Sequence, residues 1–529
     1  MNEHKKFIKN PIKKQIKYEQ IVKKKEINSK HFNQLFFFRV LIIIIFLLMF
    51  ILLSFCLFNL KSKKQKKTEY NNITNNTNKY AKYDKDFNNN STCDILDPIN
   101  IFNIRIKNGP FIICNETNTK HICYKNPKGY FNDYFALKDG IFCIMENIVI
   151  DPSKSTQSGL VYTGPIDRKN FGFPILSKGF LNTKCTSNNN IEGYNQFYNF
   201  YFNSWNYDYN IENEKEELEE LAPGKTVFLV SRNQESNNLF HGHCDIINII
   251  SMLYIYNLSP EDIQIILMES MDFPQDPFYD TYKTVLSLGG EPIYLKNLKK
   301  KYKISKAIHV PINFDSPTFT FQNLNVSKCD SMTRTYQIYN DFVDKYMDIK
   351  PFIDTFISDN ITSYYPDLVI KNHEKNIKFT KTVTIQWRRI WPEGRQWRQS
   401  RILNNGPQLA DKLASALPNN ILVRLINTAA LSYKDQISLT RNTDYLVGVH
   451  GAGLSLNIFL PKNSIFHEIV KKKNIPVFTV MSSLSQHVTY FDELKAESKN
   501  EDGKEFLTFN EDAFVESVLA HMKENNFFS

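Results

Sequence analysis

The sequence predicts an α/β protein of two Rossmann-like lobes facing a cleft, set behind an N-terminal transmembrane helix and a stem. Three observations predict it. An uncharged run of 19 residues lies near the N-terminus, strand and helix patterns alternate from Thr226 onward, and a glycine turn, His450-Gly451-Ala452-Gly453, separates a buried strand from a helix start.

Charge comes first in chain order. Residues 1–39 carry a net charge of +8 and residues 61–69 a net +4, out of a formal +10 for all 529 residues. The remainder is slightly acidic, so the basic balance implies no nucleic-acid partner. Between the two blocks, Val40–Phe58 is 19 residues without a charge. At about 1.5 Å per residue it spans roughly 30 Å, the thickness of a bilayer core. The run exceeds the h-region of a cleavable signal peptide and follows a long tail, so residues 40–60 are expected to be a signal anchor. More Lys and Arg precede the span than follow it, which predicts a cytosolic tail (1–39) and a lumenal remainder. The expected location is thus the Golgi or endoplasmic reticulum membrane, single-pass type II, with the lipid bilayer as a partner through residues 40–58.

Acceptor triplets N-x-S/T occur at Asn72, Asn75, Asn89 and Asn90, and then at Asn115, Asn257, Asn325 and Asn360, which are the N-glycosylation candidates of the folded part. Seven of eight cysteines lie beyond the span. An oxidising compartment allows three disulfides and one remaining thiol, with the pairing open, and no C-x-x-C spacing suggests zinc. Residues 61–92 are rich in Lys and Asn and read as a flexible stem. Residues 93–221 are loop-rich and read as an irregular lumenal subdomain bearing disulfides, with short strands at Pro110–Cys114 and Gly140–Ile150.

Regular alternation begins in the next segment. The N-terminal lobe, 222–372, has predicted strands Val227–Val230, Ile263–Met268, Pro292–Leu295 and Ala307–Val310. Its helices are Cys244–Tyr256, a stretch around Pro277–Leu288, and one that includes Asp341–Met347. After a linker near Lys371–Lys378, the C-terminal lobe, 373–529, has strands Val383–Trp387, Ile421–Ile426, Tyr445–Val449 and Ser464–Ile469. Helices are predicted at Gln408–Leu417, Tyr433–Thr440 and Ala513–Lys523, the middle one opened by a capping-box-like Ser432 and Asp435. Two such arrays in succession place a cleft between them.

At the carboxyl end of the Tyr445–Val449 strand, glycines let a backbone approach a ligand, and free N–H groups at a helix start favour phosphate. Asp444 precedes that strand, and Glu468 near the end of the next can bind ribose hydroxyls. Taken singly, a glycine turn is often a packing device and His450 a core histidine; the combination points to a nucleotide.

These residues carry a resemblance. D-x-L-V-G-V-H-G-A-G-L from Asp444, F-L-P from Phe459, Glu468, Arg401-Ile402-Leu403-Asn404 and His241-Gly242-His243-Cys244-Asp245 together resemble glycosyltransferase family 61 over residues 226 to 470. The resemblance implies a GT-B fold and an inverting, metal-independent transfer of a sugar, GlcNAc above all, from a UDP-sugar to a glycoprotein. It also implies no cofactor beyond that co-substrate. Arg388, Arg401, Asn404, Asp444, His450, Gly451, Ala452, Gly453 and Glu468 are then the nucleotide-sugar residues. Among Arg388, Arg389, Arg395, Arg398 and Arg401, the I-L-N context favours Arg401. A metal-dependent transferase normally shows D-x-D, and the triplet here, Asp84-Lys85-Asp86, falls in the stem. His241 and Asp245, spaced i, i+4, are the candidates for taking the acceptor proton. Against this, the pair can be a helix N-cap with its hydrogen-bond partner, and a metal set of His241, His243 and Cys244 lacks a fourth ligand. Two further functions stay open: xylosyl transfer to N-glycans, and an inactive, membrane-tethered glycan-binding protein.

Overall fold

A computed structural model describes residues 79–80, 96–116, 119–125, 141–156, 175–185, 201–214, 217–232, 238–268, 278–288, 290–311, 332–350, 368–371, 379–389, 400–470 and 477–529, with Ser316, Thr318 and Cys329. The expected tail and anchor, Asp84-Lys85-Asp86, Arg395, Arg398, Asn325 and Asn360 lie outside the described residues. Among the described residues no helix is long and apolar enough to cross a membrane.

Helix α1, Pro98–Lys107, starts where Asp97 accepts the amide of Ile99 and a proline fills the first turn. Strands β1 (Phe111–Glu116), β2 (Thr119–Tyr124) and β3 (Phe142–Ile150) follow, then β4 (Thr226–Val230), helix α2 (Leu239–Ile255), β5 (Ile263–Leu267), β6 (Ile293–Tyr294), β7 (Tyr302–Val310) and helix α3 (Arg334–Tyr346). Their sheet runs β1-β2-β3-β7-β4-β5-β6. Strands β7, β4, β5 and β6 are mutually parallel, and β3 joins them antiparallel to β7 from Tyr302↔Ile150 to His309↔Cys143. Part of the segment expected to be irregular therefore extends this sheet. Cys114–Cys185 and Cys123–Cys143 are disulfides there. Cys329 is disulfide-bonded too, and Cys244 is a buried free thiol.

The C-terminal half comprises β8 (Leu368–Lys371), β9 (Lys381–Gln386), β10 (Ile402–Leu403), α4 (Gly406–Ala416), β11 (Ile421–Ile426), α5 (Tyr433–Arg441), β12 (Tyr445–Val449), β13 (Ile465–Val470), α6 (Val477–Leu484), β14 (Val488–Glu493), β15 (Ala496–Glu501), β16 (Lys504–Phe509) and α7 (Glu511–Glu524). Its main sheet runs β8-β11-β9-β12-β13-β14, parallel except for β8, while β10, β16 and β15 form a separate small sheet. Strands β11, β12 and β13 are buried at every residue, as expected of parallel strands covered on both faces. Ser432 caps α5 by accepting the amide of Asp435, the predicted start.

Several expectations need correction. The helix around Pro277–Leu288 is a five-residue π-helical turn, Thr281–Val285, in a stretch where β-branched residues resist regular helix. Strand β6 has two residues, β7 begins five residues earlier than predicted, and α2 begins at Leu239 because Asn238 caps it. One apolar core joins the two halves: Phe240, Ile247 and Tyr339 of α2 and α3 share it with Leu454, Phe459 and Phe478.

Candidate active site

In chain order β9, β11, β12, β13 and β14 are the first to fifth parallel strands, so their spatial order reads 2-1-3-4-5. The order reverses between β9 and β12, and a crevice outside the carboxyl ends at such a reversal is where open α/β sheets take ligands. Arg388 leaves the end of β9 there, and His450-Gly451 leaves the end of β12. A Cβ added to Gly451 would lie 1.9 Å from Arg388 Nη1, so the guanidinium rests against the glycine backbone. A Cβ on Gly453 would lie 2.0 Å from Nε2 of Gln386, which donates to Thr428 Oγ1 at 3.0 Å. Both glycines are thus required by close approach. Ala452 begins a 3-10 helix, Ala452–Phe459, where an α-helix start was expected.

Strand β13 adds the next layer. Glu468, with no exposed surface, takes His450 Nδ1 on one carboxylate oxygen and the amide and hydroxyl of Thr479 on the other, at 2.9 and 2.8 Å. In this arrangement the carboxylate orients an imidazole that keeps 17% of its side-chain surface. Both carboxylate oxygens, expected to meet a ribose, are engaged by protein groups here.

Arg401 lies in the left-handed region at φ 65, strained for a residue with a Cβ. Burial lowers its pKa, while the carboxylates of Glu505 and Glu468 oppose the shift. Its Nε is buried and makes no hydrogen bond among the described residues. A buried cationic donor of this kind is suited to an anionic partner. Arg388 Nε donates to the Ser400 carbonyl at 2.9 Å, and Arg389 lies over the Trp387 ring at 4.6 Å.

Two expected site residues fall elsewhere. Asp444 stands at the opposite end of β12, some 20 Å from His450 at about 3.4 Å per residue. Its carboxylate accepts the amide of Thr382 at 2.7 Å and faces Lys381. Asn404 is exposed, and its amide donates to Leu507 of β16 at 2.9 Å, which ties β10 into the small sheet.

His241 and Asp245 share a face of α2, since the helix begins before both, and both are buried. The cap is Asn238, which disposes of the reading in which the pair is an N-cap and its partner. Phe240, next to His241, packs edge-on against Phe478 with ring centroids 5.3 Å apart, and Phe478 is 5.1 Å from the His450 ring. Phe478 thus lies between the His450 ring and the ring that precedes His241 in α2.

His243 did not stand out in the sequence as a bridge. It joins Ser455 Oγ at 2.8 Å and the Tyr433 hydroxyl at 2.7 Å, and Tyr433 meets the Tyr339 hydroxyl at 2.7 Å. Burial lowers the pKa of His243 to about 3, so the imidazole is neutral. Thr479 and Phe478 were also missed, because nothing in their spacing announces a role. Of the glycosylation candidates, Asn115 and Asn257 are exposed.

Residues 240–466 match the family model Glycosyltransferase 61. The chain is also similar to the EGF domain-specific O-linked N-acetylglucosamine transferase of Drosophila melanogaster, at 24% identity over 238 residues, 44% of this chain and 38% of that protein. The chain therefore matches less than half the length of that relative.

Proposed function

We propose, since the chain belongs to glycosyltransferase family 61 through residues 240–466, that it transfers a sugar, GlcNAc foremost, from a UDP-sugar to a glycoprotein in the secretory pathway. The carrying observation is the meeting of Arg388 with Gly451 where the strand order reverses, backed by His450 and Arg401. A leaving UDP gains negative charge on its diphosphate. Two guanidinium groups and the amides of a glycine turn can stabilise that charge without a metal. In this reading the two halves form a GT-B arrangement, Glu468 is a positioning residue that holds His450, and Asp245 or His241 takes the acceptor proton in an inverting step. The disulfides agree with a lumenal fold behind a type II anchor.

The test is UDP release from a panel of UDP-sugars with acceptor glycoproteins, alongside calorimetric UDP binding. Arg401→Ala and Arg388→Ala are expected to weaken UDP by roughly 10-fold or more each. Unchanged UDP affinity in both variants removes the site, and no UDP release from any donor removes the activity.

A further inference from the structure

Three ligand-type side chains from separate elements meet on the other face of β13. Adjacent strand residues point to opposite faces, so His467 and Glu468 stand back to back. His467 Nε2 lies 3.1 Å and His521 Nε2, on α7, lies 2.9 Å from Oδ2 of Asp492 on β14. One ligand atom from each residue lies within 4.8 Å of the other two.

An ion pair of one carboxylate between two imidazoles accounts for this poorly. Oδ2 of Asp492 accepts from the Ser517 hydroxyl and also has both imidazole nitrogens within 3.1 Å, so three groups crowd one oxygen; an ion would take the place of a proton on His521 Nε2. His467 is fully buried, and its Nε2 lies 3.1 Å from Asp492 Oδ2 without a well-aligned hydrogen bond. Its other nitrogen, Nδ1, meets the Tyr445 hydroxyl at 3.0 Å. In the tautomer whose Nδ1–H donates to Tyr445, the Nε2 lone pair faces a carboxylate oxygen, and a cation between them is what that arrangement suits.

We infer that His467, Asp492 and His521 form a binding site for a divalent transition-metal cation of the Zn2+ class. Two imidazoles and one carboxylate are borderline donors suited to Zn2+, Co2+, Ni2+ or Cu2+ rather than to Mg2+ or Ca2+. Ligand atoms around a tetrahedral ion with bonds of about 2.0–2.1 Å lie roughly 3.3 Å apart, close to the spacings seen. Tyr445 supplies the outer hydrogen bond that fixes a ligating imidazole. Asp492 and His521 keep 26% and 15% of their side-chain surface, which gives the ion a route in and leaves water to complete its shell. The ion ties the last helix to the sheet across β13 from Glu468, so it is structural and takes no part in sugar transfer.

The test uses the full chain without a histidine tag, stripped with a chelator and titrated with Zn2+ by calorimetry and with Co2+ by visible absorption. Expected are one equivalent of each ion, a d–d spectrum of low-coordinate Co2+, and a higher melting temperature with Zn2+. His521→Gln keeps a donor for Asp492 but removes an imidazole ligand. Because loss of an outer partner already costs about 10–100-fold in affinity, this change is expected to cost more than about 100-fold. Tyr445→Phe should cost about 10-fold or more. A wild-type protein that binds neither ion while folded, or a His521→Gln variant with undiminished Zn2+ affinity, overturns the site.

Discussion

Gly451→Ala places a methyl carbon 1.9 Å from Arg388 Nη1, where ordinary contact begins at 3.4 Å, so the guanidinium must withdraw by about 1.5 Å. It cannot do so freely, because Nε is bonded to the Ser400 carbonyl. The side chain is flexible, however, and the fold is expected to tolerate the change. On the proposed function, what is lost is a charge-assisted hydrogen bond to the diphosphate, about 1.5–3 kcal/mol, or roughly 10- to 150-fold in the dissociation constant for UDP. Calorimetric titration of UDP into the wild type, Gly451→Ala, Arg388→Ala and the double variant measures this. If the methyl acts through Arg388, the double variant binds no worse than Arg388→Ala alone. A Gly451→Ala protein within about threefold of wild type, or a penalty that adds in full to that of Arg388→Ala, refutes the geometry.

Three other outcomes are expected. Glu468→Gln keeps the shape but faces an amide nitrogen toward either His450 or Thr479, so it should cost about 1.5–3 kcal/mol of stability and weaken UDP through the displaced imidazole; thermal melting and UDP titration together check it. His243 and His309 have folded pKa values lowered by burial to about 3, whereas an unfolded histidine titrates near 6.5. The unfolded chain therefore binds more protons between those values. Stability is fully present above about pH 6.5 and falls by about 1 kcal/mol per histidine by pH 5.5; denaturant melts that do not change across this range count against it. Replacing Cys114 and Cys185 with alanine opens a 71-residue separation and should cost about 4 kcal/mol, against about 3 for the 20-residue separation of Cys123–Cys143, read from melting temperatures of the two double variants.

The glycine turn, the strands beside it and the capped start of α5 were legible because each is encoded locally, by an apolar run, a Gly pair or a Ser-x-x-Asp spacing. Asp444 shows where local reading stops. The glycine turn follows close behind it in sequence, yet five residues of extended chain carry it to the opposite end of the strand. Glu468 was found, but its partner Thr479 lies 11 residues on, so the contacts that hold the carboxylate had no local mark. Strands were expected at Pro110–Cys114 and Gly140–Ile150, but not their joining of the N-terminal sheet, since the antiparallel pairing of β3 with β7 links segments far apart in sequence and leaves no local mark. His243 looked like one of several adjacent polar residues, and only the approach of Ser455 and Tyr433 from far along the chain gives it a purpose.

That hydroxyl–imidazole relay, from Tyr339 through Tyr433 and His243 to Ser455, spans helices from both halves within an apolar surround. Swinging one sheet away from the other would break these hydrogen bonds, at about 0.5–1.5 kcal/mol each, and expose the apolar surround to water. Hinge-like opening is therefore disfavoured in this chain. A Tyr433→Phe change, which removes the hydroxyl between His243 and Tyr339, is therefore expected to lower the melting temperature of the whole body.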